Sequence, residues 1–561
     1  MNAPWAPHYD PDVPLEVGPV TDVVPSLLTR AAANSPQAKA LVFLGRYLTY
    51  RELEDQTSRL AQALQNQGLA AGQRLAILLP NCPQLVMAYQ AALRLGAVAV
   101  FLNPLLTPKE LAFQITNSGA RHLVVLDHLL PKVEAVEQQG GMTHLVITRL
   151  SDYLPLALKC LYPLKARHQG LALGFKPGPG RLSWRQALKN PPLKPSVLSG
   201  PQDPAVLQFT GGTTGVPKAA MLTHGNLMAN VVQLNAWMPQ ARYGAERVMG
   251  LLPFCHSFGL TACLNWPMSL GGMIIVLPRF ELEMFHKAMK KHRPTVLPGV
   301  PTLFVALIND PRLPGLDLSE LWLCVSGSAA LPQEVRDRFE GISGCRILEG
   351  YGLTEASPVT HFNPIQGQRP PGSMGMPIPG TRAKVMDPET GVRELPPGEV
   401  GELVLQGPQV MQEYWENPEE TKIALRDGWL YTGDLARMDE SGYFYIVERK
   451  KDMIISGGYN IYPREVEEVL YQHPQVKEAV AFGIPDPYRG EVVKAVIVPQ
   501  DGRPPAVDDI QEHCRRELAP YKVPKMVEFR SELPKSLVGK VLRRVLKEES
   551  LKAAGPRLSE L

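Results

Sequence analysis

Within ten residues, FTGGTTGVPK at 209–218, the chain places three glycines, three threonines and a lysine. Gly211, Gly212 and Gly215 let backbone N–H groups converge on an anion without a Cβ in the way. Thr210, Thr213 and Thr214 add hydroxyl donors, and Lys218 adds charge. Such a turn suits a polyphosphate. The residues at 205–209 and 219–222 read as short buried strands, which makes the segment a loop between them. A Walker A loop is excluded, because it needs G-x-x-x-x-G-K-[ST] opening into a helix. Here Pro217 separates Gly215 from Lys218 and Ala219 follows the lysine, while Gly539-Lys540, the other Gly-Lys pair, is followed by Val541. The plain alternative is a polar hairpin with no ligand.

Further clusters follow in order: PFCHSFGL (253–260), GSAALP (327–332), EGYGLTE (349–355), YTGD (431–434), ERKKDMIISGGYNIYP (448–463) and PKSLVGKVLRR (534–544). Singly, each has an ordinary explanation. Glu355 could cap a helix, Asp434 could sit in a turn, Arg449 could be a surface cation, and His256 between Phe254 and Phe258 could be packed core. Lys540 could be one more cation beside a basic helix with Arg543, Arg544 and Lys547. As an ordered set they resemble the adenylate-forming enzymes, a superfamily of acyl-CoA synthetases, peptide-synthetase adenylation domains and beetle luciferases. The resemblance spans nearly the whole chain and is nearest in wording to bacterial long-chain fatty acid–CoA ligases.

That resemblance implies chemistry on a carboxylic acid. Hydroxide leaves poorly, so the acid is converted to an acyl-adenylate with release of pyrophosphate, then passed to a thiol. ATP, Mg²⁺ and coenzyme A are the implied co-substrates and cofactor, and a fatty acid of medium to long chain the implied acid. By resemblance, Thr210 to Lys218 wrap the β- and γ-phosphates, while Gly327, Ser328 and Ala329 line the adenine edge. The run Glu349, Gly350, Tyr351, Gly352 binds the nucleotide, with Tyr351 stacked on adenine. Thr354 touches the α-phosphate and Glu355 ligates Mg²⁺, a hard cation that prefers oxygen. Asp434 and Arg449 hold the ribose hydroxyls. His256 forms the wall between acyl pocket and adenylate, Lys540 bridges the substrate carboxylate and the α-phosphate, Gly457 and Gly458 leave room for pantetheine, and Lys451 is a hinge. Lys540, Thr354, Lys218 and His256 form the implied catalytic set. Competing readings are an acyl-AMP ligase serving a carrier protein, an activator of another acid, a luciferase-like oxygenase, and a nucleotide-binding scaffold without activity. The last would be marked by loss of Lys218, Glu355, Asp434 or Lys540, and all four are present.

These residues need elements to hold them. Thr49 and Glu52, and Thr107 and Glu110 with Pro108, have capping-box spacing. The helices they open, and one over 83–96, alternate with apparent strands at 74–79, 97–102 and 122–126, as a parallel sheet covered on both faces requires. Strands near 247–252, 272–277 and 321–325 repeat the style. The expected fold class is therefore α/β: a large N-terminal AMP-binding domain (1–450) of two layered α/β subdomains with a small β-barrel lobe at about 380–450. A mobile, smaller α+β domain (451–561) follows.

At 561 residues more than one core is expected, and a net charge of +3 gives no case for nucleic acid. Seven scattered cysteines, none in C-x-x-C, predict a reducing cytoplasm without zinc. No apolar stretch is long enough to span a bilayer. The stretch 152–169, DYLPLALKCLYPLKARHQ, mixes apolar and basic residues. It is read first as a surface excursion packed on the body and second as a peripheral contact with the inner face of the membrane. A homodimer is a further expectation.

Overall fold

A computed structural model describes residues 3–137, 141–168, 173–176, 178–194, 199–210, 217–456, 459–536 and 539–553. Local chemistry sets the early elements as expected. Thr49 Oγ1 accepts from the Glu52 N–H at 3.2 Å while the Glu52 carboxylate accepts from the Thr49 N–H at 2.8 Å, and this box opens the helix Tyr50–Asn66. Thr107 and Glu110 repeat the arrangement at the start of Pro108–Ser118, which Gly119 closes in the left-handed region.

Two sheets form the large N-terminal part. In one, strands Lys39–Phe43, Met273–Val276, Arg247–Gly250, Val296–Gly299, Leu323–Ser326 and Ile347–Gly352 run parallel, with antiparallel strands at both edges. In the other, Pro204–Thr210, Val98–Phe101, Arg74–Leu78, His122–Leu126, His144–Thr148 and Arg181–Ser183 run parallel, and Lys218–Thr223 returns antiparallel beside Pro204–Thr210. Helix Pro83–Arg94 is buried along its length up to Leu93. It donates from Gln84 to Thr148 (3.1 Å) and from Gln90 to the Met268 sulfur (3.8 Å), so it sits between the layers. A helix apolar on every side is what such a position demands.

The expected small barrel is an open antiparallel sheet among the described residues: Arg382–Met386, Gly401–Gln406 and Trp429–Met438 pair in turn, with Phe444–Arg449 on the last of these. Its short strands and turns are as expected, but no pairing closes it.

Past Lys451 the chain builds a smaller α+β body around the hairpin Val476–Asp486 and Gly490–Pro499. Helices Pro463–Tyr471 and Val507–Glu517 cover it, and its core, including Ile454, Val466, Ala481, Ile497 and Ile510, is distinct from that of the large part.

The stretch at 152–169 carries the helix Leu156–His168, and packing accounts for only one side of it. Tyr153, Leu154 and Ala166 are buried and Tyr162 packs on the core, as a surface excursion folded onto the body requires, whereas Leu156, Leu161 and Leu164 on the other side are 82%, 58% and 67% exposed. Among the described residues, no helix is long and apolar enough to cross a membrane.

Candidate active site

Strand ends bring the clusters together. Parallel α/β sheets leave their ligand crevice beyond the carboxyl ends of the strands. Pro204–Thr210 delivers Thr210, Leu323–Ser326 runs straight into Gly327, and Ile347–Gly352 carries Glu349 to Gly352, with Thr354 and Glu355 just beyond. EGYG thus forms the end of its strand. Gly211, Gly212, Thr213, Thr214 and Gly215, and likewise Gly457 and Gly458, lie outside the described residues.

Tyr351, Asp434 and Arg449 form one connected unit. The Tyr351 hydroxyl donates to Asp434 Oδ2 at 2.6 Å, and Arg449 Nε lies 2.9 Å from Asp434 Oδ1. Strand register makes this possible, since Asp434 sits opposite Arg449 between Trp429–Met438 and Phe444–Arg449. Tyr351 remains half-buried. A ring fixed by its hydroxyl, beside a paired acid and guanidinium, can hold a flat base and a diol.

Gly350 and Gly352 owe their identity to backbone and ring proximity. A Cβ on Gly352 would lie 2.2 Å from the Pro358 carbonyl oxygen, and one on Gly350 would lie 2.5 Å from the Phe362 ring. Glu349 accepts from the Leu331 N–H at 3.1 Å, and burial pushes its carboxyl above the usual carboxylate range. It therefore ties the loop after Gly327 to its strand. Gly327 packs on the Phe258 ring, Ser328 takes the left-handed region at φ 69°, and Ala329 is exposed.

Lys540 arrives from the smaller body. A turn seats it: Ser536 N–H donates to the Lys540 carbonyl (2.8 Å), and Lys540 N–H donates to Ser536 Oγ (3.2 Å). Gly539 presses on the large part, where its Cβ position lies 3.5 Å from Thr302 Cβ. Lys540 as a residue is exposed by accessible surface, and its ammonium nonetheless has protein groups packed close around it. Burial first and the Arg449 charge second push its ammonium down to about 8. His256 lies close enough to feel the Lys540 charge. Burial and then Lys540 push its imidazole down to about 4, which leaves it neutral at pH 7. Next to it, Ser257 Oγ lies 3.3 Å from Thr354 Oγ1. The chain then enters a wide π-helical turn, Gly259–Asn265, a form often found at functional sites.

Two residues that no motif marked stand beside Glu355 and Lys218. The Tyr414 hydroxyl donates to Glu355 Oε1 at 2.7 Å. Lys218 forms a close ion pair with Glu420, and its ammonium stands 5.3 Å from the centre of the Tyr414 ring. Among the described residues no cluster of three or more His, Cys, Asp or Glu could cage a metal. A single carboxylate such as Glu355 fits Mg²⁺, which keeps several waters and commonly takes its other ligands from phosphates. Lys451 is exposed in the turn after Phe444–Arg449, between Lys450, whose N–H donates to Gly433, and Asp452, whose N–H donates to Arg449.

This assembly has relatives. The profile of the AMP-binding enzyme family matches residues 28–415, and that of the AMP-binding enzyme C-terminal domain matches 465–540. A long-chain-fatty-acid–CoA ligase of Bacillus subtilis (strain 168) is 46% identical over 551 residues, 97% of this chain and 98% of that protein. One of Escherichia coli O6:H1 is 41% identical over 564 residues, 98% of this chain and 99% of its own length. Among solved structures, the anthranilate CoA ligase AuaEII in complex with anthranoyl-AMP superposes with a TM-score of 0.84 at 28% identity, covering 96% of this chain and 99% of that one. ATP-bound MatB from Rhodopseudomonas palustris gives 0.83 at 32% identity, covering 94% and 98%, whereas apo MatB gives 0.73. By sequence along nearly all its length and by fold, the chain belongs to the AMP-binding enzyme family.

Proposed function

We propose that this protein is an ATP-dependent acid–thiol ligase that activates a long-chain fatty acid to acyl-AMP with release of pyrophosphate and then transfers the acyl group to coenzyme A. The observation that carries the reading is the convergence of Lys540, His256 and the Tyr351–Asp434–Arg449 unit on one cleft. Tyr351 stacks on adenine, with Gly327, Ser328 and Ala329 along the base edge, and Asp434 and Arg449 bind the ribose diol as acceptor and donor. Thr354 and Lys540 hold the α-phosphate, and Lys540 disperses charge as the acid attacks it in line. Glu355, oriented by Tyr414, would hold Mg²⁺, which when bound neutralises phosphate charge. Lys218 and the loop from Thr210 take the leaving phosphates, and Gly457 and Gly458 admit pantetheine. The greater likeness to ATP-bound MatB than to apo MatB supports reading the present arrangement as the adenylating one. A panel of acids from acetate to oleate and ferulate, assayed for pyrophosphate release and CoA thioester, tests the reading. Long-chain fatty acids should give the highest kcat/KM; no thioester with any acid would overturn it.

Lys218 yields a sharper expectation. Since Glu420 holds its ammonium beside the phosphate loop, Lys218→Ala should raise KM for ATP roughly tenfold and leave binding of a premade acyl-adenylate within about twofold. Equal loss of both would remove Lys218 from the polyphosphate side.

The exposed helix Leu156–His168 supports a peripheral membrane contact at the cytoplasmic face. From 153 to 202 the chain carries eight Lys and Arg and no Asp or Glu, and the exposed leucines stand within that basic run. Co-sedimentation with phosphatidylglycerol vesicles at low salt should be lost at high salt and in the triple variant Leu156→Ser, Leu161→Ser, Leu164→Ser, with turnover of a short soluble acid unchanged. A wild-type protein that never sediments with such vesicles would refute the contact.

A further inference from the structure

Arg543 opens the last helix, Arg543–Ala553, three residues after Lys540. Its guanidinium donates to Glu467 at 2.8 Å, to Glu448 at 3.1 Å and to Asp452 at 3.3 Å. These carboxylates lie on both sides of Lys451. Glu448 is in the strand Phe444–Arg449 before it, Asp452 comes directly after it, and Glu467 is on the helix Pro463–Tyr471 of the smaller body. Glu448 is only 6% exposed and also accepts from the Arg449 N–H (2.9 Å) and the Arg464 N–H (3.2 Å). Without the guanidinium, a buried carboxylate would face two like charges with only N–H donors to balance it.

The link from Arg543 to Lys540 is short and stiff. Lys535 bridges to Val541, the Leu542 N–H donates to the Pro534 carbonyl at 2.8 Å, and the Ser536–Lys540 bonds close the turn between them. Wherever Arg543 is held, Lys540 is held as well.

We propose that Arg543 is a positioning residue for adenylation: by clasping Glu448 across the hinge, it seats the Lys540 turn in the cleft. The inference rests on the reading above and on the expected hinge at Lys451, about which the smaller body would turn between the half-reactions. The bond to Glu467 lies within that body and travels with it. The bond to Glu448 crosses Lys451 and parts. Of its three partners, Glu467 thus stays with the cation in both states and Glu448 is specific to adenylation, while Asp452 sits at the hinge itself.

The test uses the full-length protein, measuring pyrophosphate release from ATP and fatty acid separately from thioester formation with supplied acyl-AMP and CoA. Arg543→Met and Glu448→Gln should each lower the first rate roughly tenfold and leave the second within about twofold, and the double variant should be no worse than Arg543→Met alone. Glu467→Gln, which removes the bond inside the smaller body, should leave the ratio of the two rates unchanged. An equal fall in both rates, or a Glu467→Gln shift as large as that of Glu448→Gln, overturns the proposal. Should Arg543→Met fail to fold, Glu448→Gln and Glu467→Gln decide by themselves. Wild-type protein that releases no pyrophosphate would instead sink the functional reading, before any variant is made.

Discussion

Lys540→Ala is expected to lower acyl-adenylate formation by about a hundred- to a thousandfold while leaving conversion of supplied acyl-AMP and CoA to thioester nearly intact. The asymmetry follows from where charge develops. During adenylation the carboxylate and the α-phosphate, both anionic, must approach, and a cation between them is worth more in the transition state than in the ground state. In the second half-reaction the bond to phosphate is already made, and a thiol attacks the acyl carbonyl. A variant that loses both half-reactions by the same factor would mean that Lys540 holds the fold together, not the reacting groups.

The same lysine fixes a pH dependence. Its ammonium is pushed down to about 8, first by burial and then by Arg449, so the charged form predominates below that pH and is lost above it. For adenylation, kcat/KM should be flat from neutrality to near pH 8 and then fall, because it reports the free enzyme. Bound ATP brings phosphate charge next to the ammonium and favours its protonation, so the corresponding limb of kcat should lie at higher pH. Lys540→Arg, which does not titrate in this range, should flatten the limb even where it lowers the rate. His256 does not produce it, since its imidazole is already neutral at pH 7.

What could be read from sequence was what short stretches of chain determine. Thr49 with Glu52 and Thr107 with Glu110 close their caps within four residues, so spacing alone located those helix starts. Tyr351, Asp434 and Arg449 were each marked by their own clusters, and the structure joins them through hydrogen bonds and strand register. Tyr414 and Glu420 were missed because their relevance is made by distance. The two-residue pairing of Glu413–Tyr414 with Lys218–Thr223 brings them to the site, and Lys218 meets Glu420 across 202 residues. A signal was present in EYWENPEET, where Asn417 and Pro418 open a short helix one residue after two aromatics. The barrel expectation failed for a similar reason, since turn residues define hairpins but closure depends on edges meeting. Exposure of the leucines on Leu156–His168 could not be read from their spacing either, because an amphipathic pattern does not say whether its apolar side has a partner.

The second large effect concerns the state in which Lys540 is engaged. Gly539 has φ 70°, and its Cβ position lies 3.5 Å from Thr302 Cβ, within the 3.5–4.5 Å that a disulfide spans. A Gly539→Cys, Thr302→Cys pair can therefore be oxidised across the contact between the two parts of the chain, at a strain of about 1–2 kcal/mol for a side chain in the left-handed region. Replacing Cys160, an exposed native thiol, by Ser keeps the chemistry at the chosen pair. If thioester formation requires the smaller body to turn about Lys451, the oxidised protein should release about one equivalent of pyrophosphate per chain, hold its acyl-adenylate, and form thioester at least roughly tenfold more slowly than the reduced form. Reduction should restore turnover with both cysteines still present, which separates the lock from the substitutions. The Thr302→Cys single variant under the same oxidant should behave like the reduced pair, whereas Gly539→Cys alone would set its Cβ 2.2 Å from Thr302 Oγ1 and is no control. An oxidised protein, its disulfide verified by mass, that passes acyl groups to coenzyme A at the reduced rate would show that one arrangement serves both half-reactions, and that the contact of Gly539 with Thr302 is no barrier to the thiol.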